Sequence, residues 1–175
     1  LDALSAFSRI DEQGLYSLCA AYPNVVNITG YSGQGVHPGQ TELLKHAFPA
    51  IMRDMGWHPS NTLLISGGTA LGIPDVAIRA LVQSDSYPAI GVMALPGVAY
   101  PMTSGYAGIC VDDKWTGWGD ESAAMSMASN GTILTGGGTQ ALTDALLAER
   151  DGERIAVITN SYNGMARVPY RIGDK

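Results

Sequence analysis

Positive charge is scarce in this chain. Ten of its 175 residues are Lys or Arg against sixteen Asp or Glu, for a formal charge of -6. A groove that wraps a nucleic-acid backbone needs clustered cations, so no nucleic-acid polymer is expected as a partner. A single phosphate stays admissible, because a few convergent backbone N–H groups hold one without a basic patch. Long apolar runs are also missing. No stretch reaches the roughly 20 residues that span a bilayer, and the first residues lack a charged segment followed by an apolar one. The expectation is a cytoplasmic protein with no membrane partner. Only two cysteines occur, Cys19 in "YSLCAAY" and Cys110 in "AGICVDD". Distant and set among apolar residues, they read as buried thiols, not as a disulfide or a metal site. No pair among the three histidines has metal-ligand spacing, so neither a metal nor a resident cofactor is implied. The chain begins without Met, as expected of a fragment or a processed product.

What the chain does have is apolar content, 46%, enough for one domain with a sizeable core over residues 1–175. Short β-branched runs recur at Val25 to Gly30, Thr62 to Gly67, Ala89 to Leu95, Gly108 to Asp112, Gly131 to Gly136 and Arg154 to Thr159. Continuous apolar runs of this length mark parallel strands buried on both faces. Helical periodicity fills the gaps at Gln40 to Met55, Ile73 to Gln83, Asp120 to Ser129 and Gln140 to Glu149, and Leu4, Phe7, Ile10, Leu15 and Leu18 suggest a helical segment within residues 1–21. Alternating strands and helices predict an α/β doubly wound, mostly parallel sheet with helices on both faces.

Three strands run into glycine turns that open helices. "TGYSGQGVHPGQT" offers Gly30, Ser32 and Gly33; "SGGTALG" offers Ser66, Gly67, Gly68 and Thr69; "GGGTQ" offers Gly136, Gly137, Gly138, Thr139 and Gln140. In an open parallel sheet ligands gather at the carboxyl ends of the strands, and glycine nests with helix N-termini suit phosphate. Tight turns also need glycine for steric reasons alone, so each turn has a structural reading beside the functional one. Loops of the same rim carry Tyr100, Tyr106, Trp115 and Trp118, of which Trp115 and Trp118 are the candidates for stacking on a base; packing in a subunit interface or under a long loop is the alternative.

"ITGYSG", "ISGGTALGIPDVAIRA" and "ILTGGGTQALTDAL", in this order and strand context, resemble the turns of the SLOG superfamily, which includes the Lonely Guy type phosphoribohydrolases and nucleotide-sensing domains. The resemblance spans about Val25 to Thr159. It implies a Rossmann-like fold, a nucleotide or nucleotide-derived ligand with its phosphate near Gly136, Gly137, Gly138 and Thr139, and a homodimer or larger homo-oligomer. The hydrolases of that group carry a PGGxGTxxE motif and an Arg on the preceding helix. Here "TGGGTQALTD" is one residue short, Leu142 takes the Glu offset, and "GDESAAMSMAS" holds no Arg.

Hydrolysis of an N-glycosidic bond needs a carboxylate and a proton source. Asp120, Glu121 and Asp144 are the candidates, each also readable as a helix-start or solvated residue. His37, in the first glycine loop, could touch phosphate or donate a proton; His46 and His58 read as structural or surface residues. Two functions follow: hydrolysis of a nucleoside 5'-monophosphate, or a non-catalytic nucleotide-sensing or carrier domain acting through oligomerisation. A dinucleotide oxidoreductase is disfavoured by the missing GxGxxG turn.

Overall fold

The computed structural model describes residues 8–32, 36–137 and 139–158. Seven strands form one sheet in which every recorded pairing is parallel. They are β1 (Ser8–Ile10), β2 (Asn24–Gly30), β3 (Thr62–Gly67), β4 (Ala89–Val92), β5 (Gly108–Cys110), β6 (Gly131–Thr135) and β7 (Arg154–Val157), in the spatial order β1-β5-β4-β3-β2-β6-β7. Five helices connect them: α1 (Glu12–Cys19), α2 (Pro38–Asp54), α3 (Gly72–Asp85), α4 (Ser122–Ala128) and α5 (Thr139–Arg150). This is the Rossmann-like α/β architecture expected from the alternating pattern. No helix among the described residues is long and apolar enough to cross a membrane.

Successive side chains of a strand point to opposite faces, so each central strand supplies two cores. Val26 and Ile28 of β2 and Leu64 of β3 pack with Leu44, Phe48 and Met52 of α2 and with Ile78 and Leu81 of α3. Val25, Leu63, Ile65 and Ile90 point the other way, onto Leu15 of α1 and Met125 of α4. Burial on both faces is why these strands read as unbroken apolar runs.

Two expectations need correction, and one residue gains a structural role. The segment proposed as helical within residues 1–21 contains β1 at the sheet edge, paired with β5 from Ser8 opposite Gly108 to Ile10 opposite Cys110. The helix starts only after Asp11, whose Oδ1 accepts the Gly14 N–H at 2.8 Å and caps α1. Residues 1–7 lie outside the described part. The run Ala89 to Leu95 leaves strand geometry at Val92, and Leu95–Ala99 forms a 3-10 turn with Pro96 in its first turn. His37 caps α2, its Nδ1 accepting the Gly39 N–H at 3.1 Å, ahead of Pro38, whose missing N–H costs nothing in the first helical turn.

Candidate functional site

The strand order reverses beside β2, which pairs with β3 on one side and with β6 on the other. Open α/β sheets hold ligands at that switch point, outside the carboxyl ends of the strands. A cleft of about 250 Å³ lies there. Its walls come from the end of β2 with the following Tyr31 and Ser32, from the β3–α3 turn, from Val92 and Met93 after β4, and from the first turns of α4 and α5.

Gly30, Ser32, Gly67, Gly68 and Thr69 meet at the cleft, as do Thr139 and Gln140 at the start of α5. Glu121, Asp144 and Trp118 join them. Gly33 and Gly138 lie outside the described residues. Ser66 is not at the surface of the cleft: it is fully buried, and its hydroxyl donates to the Ile28 carbonyl at 2.6 Å, tying β3 to β2. Gly136 is buried at φ +66° and Gly137 sits at φ +125°, both in conformations that favour glycine. A methyl group on Gly137 would collide with Cβ of Ala141, so this glycine lets the chain turn tightly into α5.

Two aromatic and acidic candidates separate from their neighbours. Trp115, expected to stack on a base, is 3% exposed and packs in the core against the α1–α4 face, so it cannot reach a ligand. Trp118, three residues on, is 57% exposed at the cleft mouth, edge-on to Tyr100 with ring centroids 5.8 Å apart. Asp120, expected as a catalytic carboxylate, is exposed and turned away from the cleft; its Oδ2 accepts the Gly117 N–H at 2.7 Å and closes the turn before α4. His37 caps α2 through Nδ1, and His46 and His58 are exposed on α2 and in the connection after it.

The β3–α3 turn is occupied by the protein itself. Tyr31 O accepts the Ile73 N–H at 2.8 Å, and the next residue, Pro74, has no N–H to offer. A methyl group at Gly72 would strike Tyr31 O and Ser32 Cα, so that glycine at φ +67° exists to let the loop after β2 close over the start of α3. On the other side Ala70 N–H donates to Pro101 O at 2.7 Å, Thr103 N–H to Gly68 O at 3.1 Å and the Thr103 hydroxyl to Thr69 O at 3.0 Å. This turn forms a wall of the cleft. The start of α5 also lines it through Thr139, Gln140 and Ala141, and the positive dipole end of that helix favours an anion.

Glu121 and Asp144 are each 5% exposed. Glu121 Oε1 accepts from Gln140 Nε2 at 2.9 Å and its Oε2 from Gly119 N–H at 3.0 Å, so the carboxyl bridges α4 to the first turn of α5. Burial pushes its proton affinity up, hydrogen bonds from its own backbone N–H, from Gln140 and from the Gly119 N–H oppose that, and the neighbouring Asp144 adds a smaller push. Asp144 Oδ2 accepts the Thr29 hydroxyl at 2.6 Å. Burial likewise raises its carboxyl above the usual range, with the Thr29 and Ser122 hydroxyls opposing. Ser122 lies close enough to be felt, yet its Oγ and Asp144 Oδ1 are both buried without a hydrogen-bond partner among the described residues. Neither Lys, Arg nor His lines the cleft among those residues. Thr29, Tyr31 and Met93 were not singled out from the sequence. Thr29 sits one residue before the first glycine turn, and its tie to Asp144 joins positions 115 apart, a link only the fold reveals.

No protein-family model matches the chain, and no curated protein does. Solved structures share its fold. The molybdenum cofactor carrier protein of Chlamydomonas reinhardtii superimposes with a TM-score of 0.58 at 17% identity, over 77% of this chain and 75% of that one. The molybdenum cofactor binding protein of the phototrophic bacterium Rippkaea orientalis gives 0.59 at 15% identity, over 79% and 77%.

Proposed function

We propose that this chain is a non-catalytic binding protein for a phosphorylated heterocycle, a nucleotide or a pterin-type cofactor, held in the cleft at the β2–β6 switch point. The observation that carries this reading is the first turn of α5, Thr139 to Ala141, lining the switch-point cleft together with the exposed Trp118. The phosphate is assigned to the start of α5, and the ring system to Trp118, whose exposed face offers stacking on any flat heterocycle. One neighbour named above is described as a carrier of the molybdenum cofactor and the other as binding it, which supports a small-molecule cofactor as the ligand of this cleft. A second copy of the chain is the partner implied by the SLOG resemblance.

Hydrolysis is the second reading, favoured by the two carboxyls of raised proton affinity in one cleft. Against it stand Leu142 at the position of the hydrolases' Glu and the lack of Arg among the described lining residues. One experiment separates the two. The protein is incubated with nucleoside mono-, di- and cyclic phosphates, dinucleotides and molybdopterin, and free and retained fractions are analysed by LC–MS. An intact compound retained on the protein supports the carrier or sensor; free base released with ribose phosphate replaces it with the hydrolase. Finding neither retention nor base release with any compound of the panel sinks both.

A further inference from the structure

Trp118 stands between two glycines, and a carboxyl group takes the N–H of each. Asp120 Oδ2 accepts from Gly117 at 2.7 Å, and Glu121 Oε2 accepts from Gly119 at 3.0 Å. Glycines on both sides of a bulky residue leave the backbone loose unless something ties it, and Gly119 sits at φ +94°. The two ties differ in reach. Asp120 is exposed, and its bond closes a turn within the loop. Glu121 is buried, and its other oxygen, Oε1, accepts from Gln140 Nε2 at 2.9 Å, in the first turn of α5. Glu121 also occupies the N-cap position of α4, yet its side chain makes no cap bond to that helix. An acidic side chain at such a position ordinarily accepts from the helix it precedes. Here its oxygens accept instead from the loop on one side and from α5 on the other, and a buried carboxyl group is tolerated only where such bonds are made.

We propose that Glu121 is a positioning residue: it braces the Trp118 loop against the first turn of α5 and so fixes the spacing between the aromatic wall of the cleft and its anion end. The proposal rests on the assignment of those two ends in the reading above. One carboxyl group with two N–H partners joins a glycine-flanked loop and a helix start into a single frame. Tyr100 completes the support of the indole, edge-on with ring centroids 5.8 Å apart, and Gly97 leaves room beside it, since a Cβ there would lie 3.6 Å from Trp118 Cη2. The cleft then offers a ring and a phosphate one preset separation. Ordering of the loop is complete before a ligand arrives and does not weaken its binding.

The brace is measured without any ligand. Trp57 and Trp115 are buried, and the emission of Trp118 is isolated as the difference from Trp118→Phe. Time-resolved anisotropy then separates the motion of the indole from the tumbling of the whole protein. Glu121→Gln keeps the shape, but its amide has one acceptor oxygen for two N–H groups and turns its own NH2 toward the other. Trp118 should show a larger fast depolarisation in this variant than in wild type. Gln140→Met alters only α5 and should enlarge it as well, because the brace loses its far end. The double variant should be no more mobile than Glu121→Gln alone. Asp144→Asn, a buried acid outside the brace, should leave Trp118 as in wild type. Circular dichroism checks the fold of each variant. Lower thermal stability with unchanged anisotropy in Glu121→Gln makes the residue merely structural and overturns the proposal. Unchanged anisotropy in Gln140→Met overturns it too, since the loop is then not held from α5. Calorimetry with inorganic sulfate on wild type tests the anion end separately: no binding removes that end from the reading above, while the brace stands or falls on the anisotropy.

Discussion

Two glycine turns of this molecule look alike in sequence and do different work. "SGGTALG" and "TGGGTQ" each follow a buried strand and open a helix, and either would serve as a phosphate cradle on its residues alone. At the first, a backbone carbonyl, Tyr31 O, already takes the Ile73 donor, and the following Pro74 has none. Both turns line the cleft, the first through Gly67, Gly68, Thr69 and Pro74; at the second, no backbone carbonyl from elsewhere in the described residues is recorded on the first residues of the helix, Thr139, Gln140 and Ala141. The presence of glycine therefore does not tell a ligand site from a packing site. What tells them apart is whether another part of the chain has reached the helix N-terminus first, a long-range fact that no local motif contains.

The strongest way to break this comparison is to put a side chain where the first turn holds the chain. Gly72→Ala drives a methyl group into the Tyr31 and Ser32 backbone, at a φ of +67° that alanine disfavours. Overpacking against backbone together with the left-handed conformation should cost about 3–4 kcal/mol of stability in urea unfolding. A cost below about 1 kcal/mol would show that the loop after β2 is not clamped there and would return the α3 N-terminus to the list of anion sites.

Trp118 sharpens the other half of the comparison. If the second turn holds the phosphate and the ring reaches the cleft mouth, Trp118→Ala should weaken binding of a retained nucleotide by about 1–3 kcal/mol, leave sulfate affinity unchanged, and alter folding stability little, because the side chain is exposed. Equal affinity of variant and wild type for the nucleotide would move the heterocycle away from this wall. Loss of sulfate binding as well would mean that Trp118 shapes the anion end, and the assignment of separate ends would fail.

The architecture was legible because burial on both sheet faces writes itself into continuous apolar runs, as in β2, β3 and β6, and because glycine and proline punctuate the turns. β1 was not, since a three-residue edge strand is defined by β5, about 100 residues away, and carries too few positions for a period to show. The site was legible as a rim and illegible as a set of roles. Asp120 and Glu121 are adjacent acids, and Trp115 and Trp118 stand three apart; within each pair one residue faces the cleft and the other does not. Only the course of the loop before α4 decides which.

Asp144 gives the smallest effect and the most discriminating one. Its carboxyl is buried, accepts the Thr29 hydroxyl and has the Ser122 hydroxyl beside it, and burial raises its proton affinity above that of a solvated Asp. The folded protein therefore holds this proton to higher pH than the unfolded chain does. The stability this contributes is complete below the unfolded value near pH 4, roughly, and is lost as pH rises through the folded value. Asn has nearly the same shape, can accept from Thr29 through its amide oxygen, and does not titrate. Asp144→Asn should then raise stability by on the order of 1 kcal/mol near neutral pH, the size of a typical single-site gain, and the gain should shrink as the medium is acidified. Urea midpoints of both proteins at about pH 8 and about pH 5 measure this. An Asn variant less stable than wild type at neutral pH would mean that the ionised carboxylate is satisfied by a donor the described residues do not supply. A gain that vanishes in acid would mark Asp144 as a residue kept at the expense of the fold, as expected where the ligand and not the core requires it.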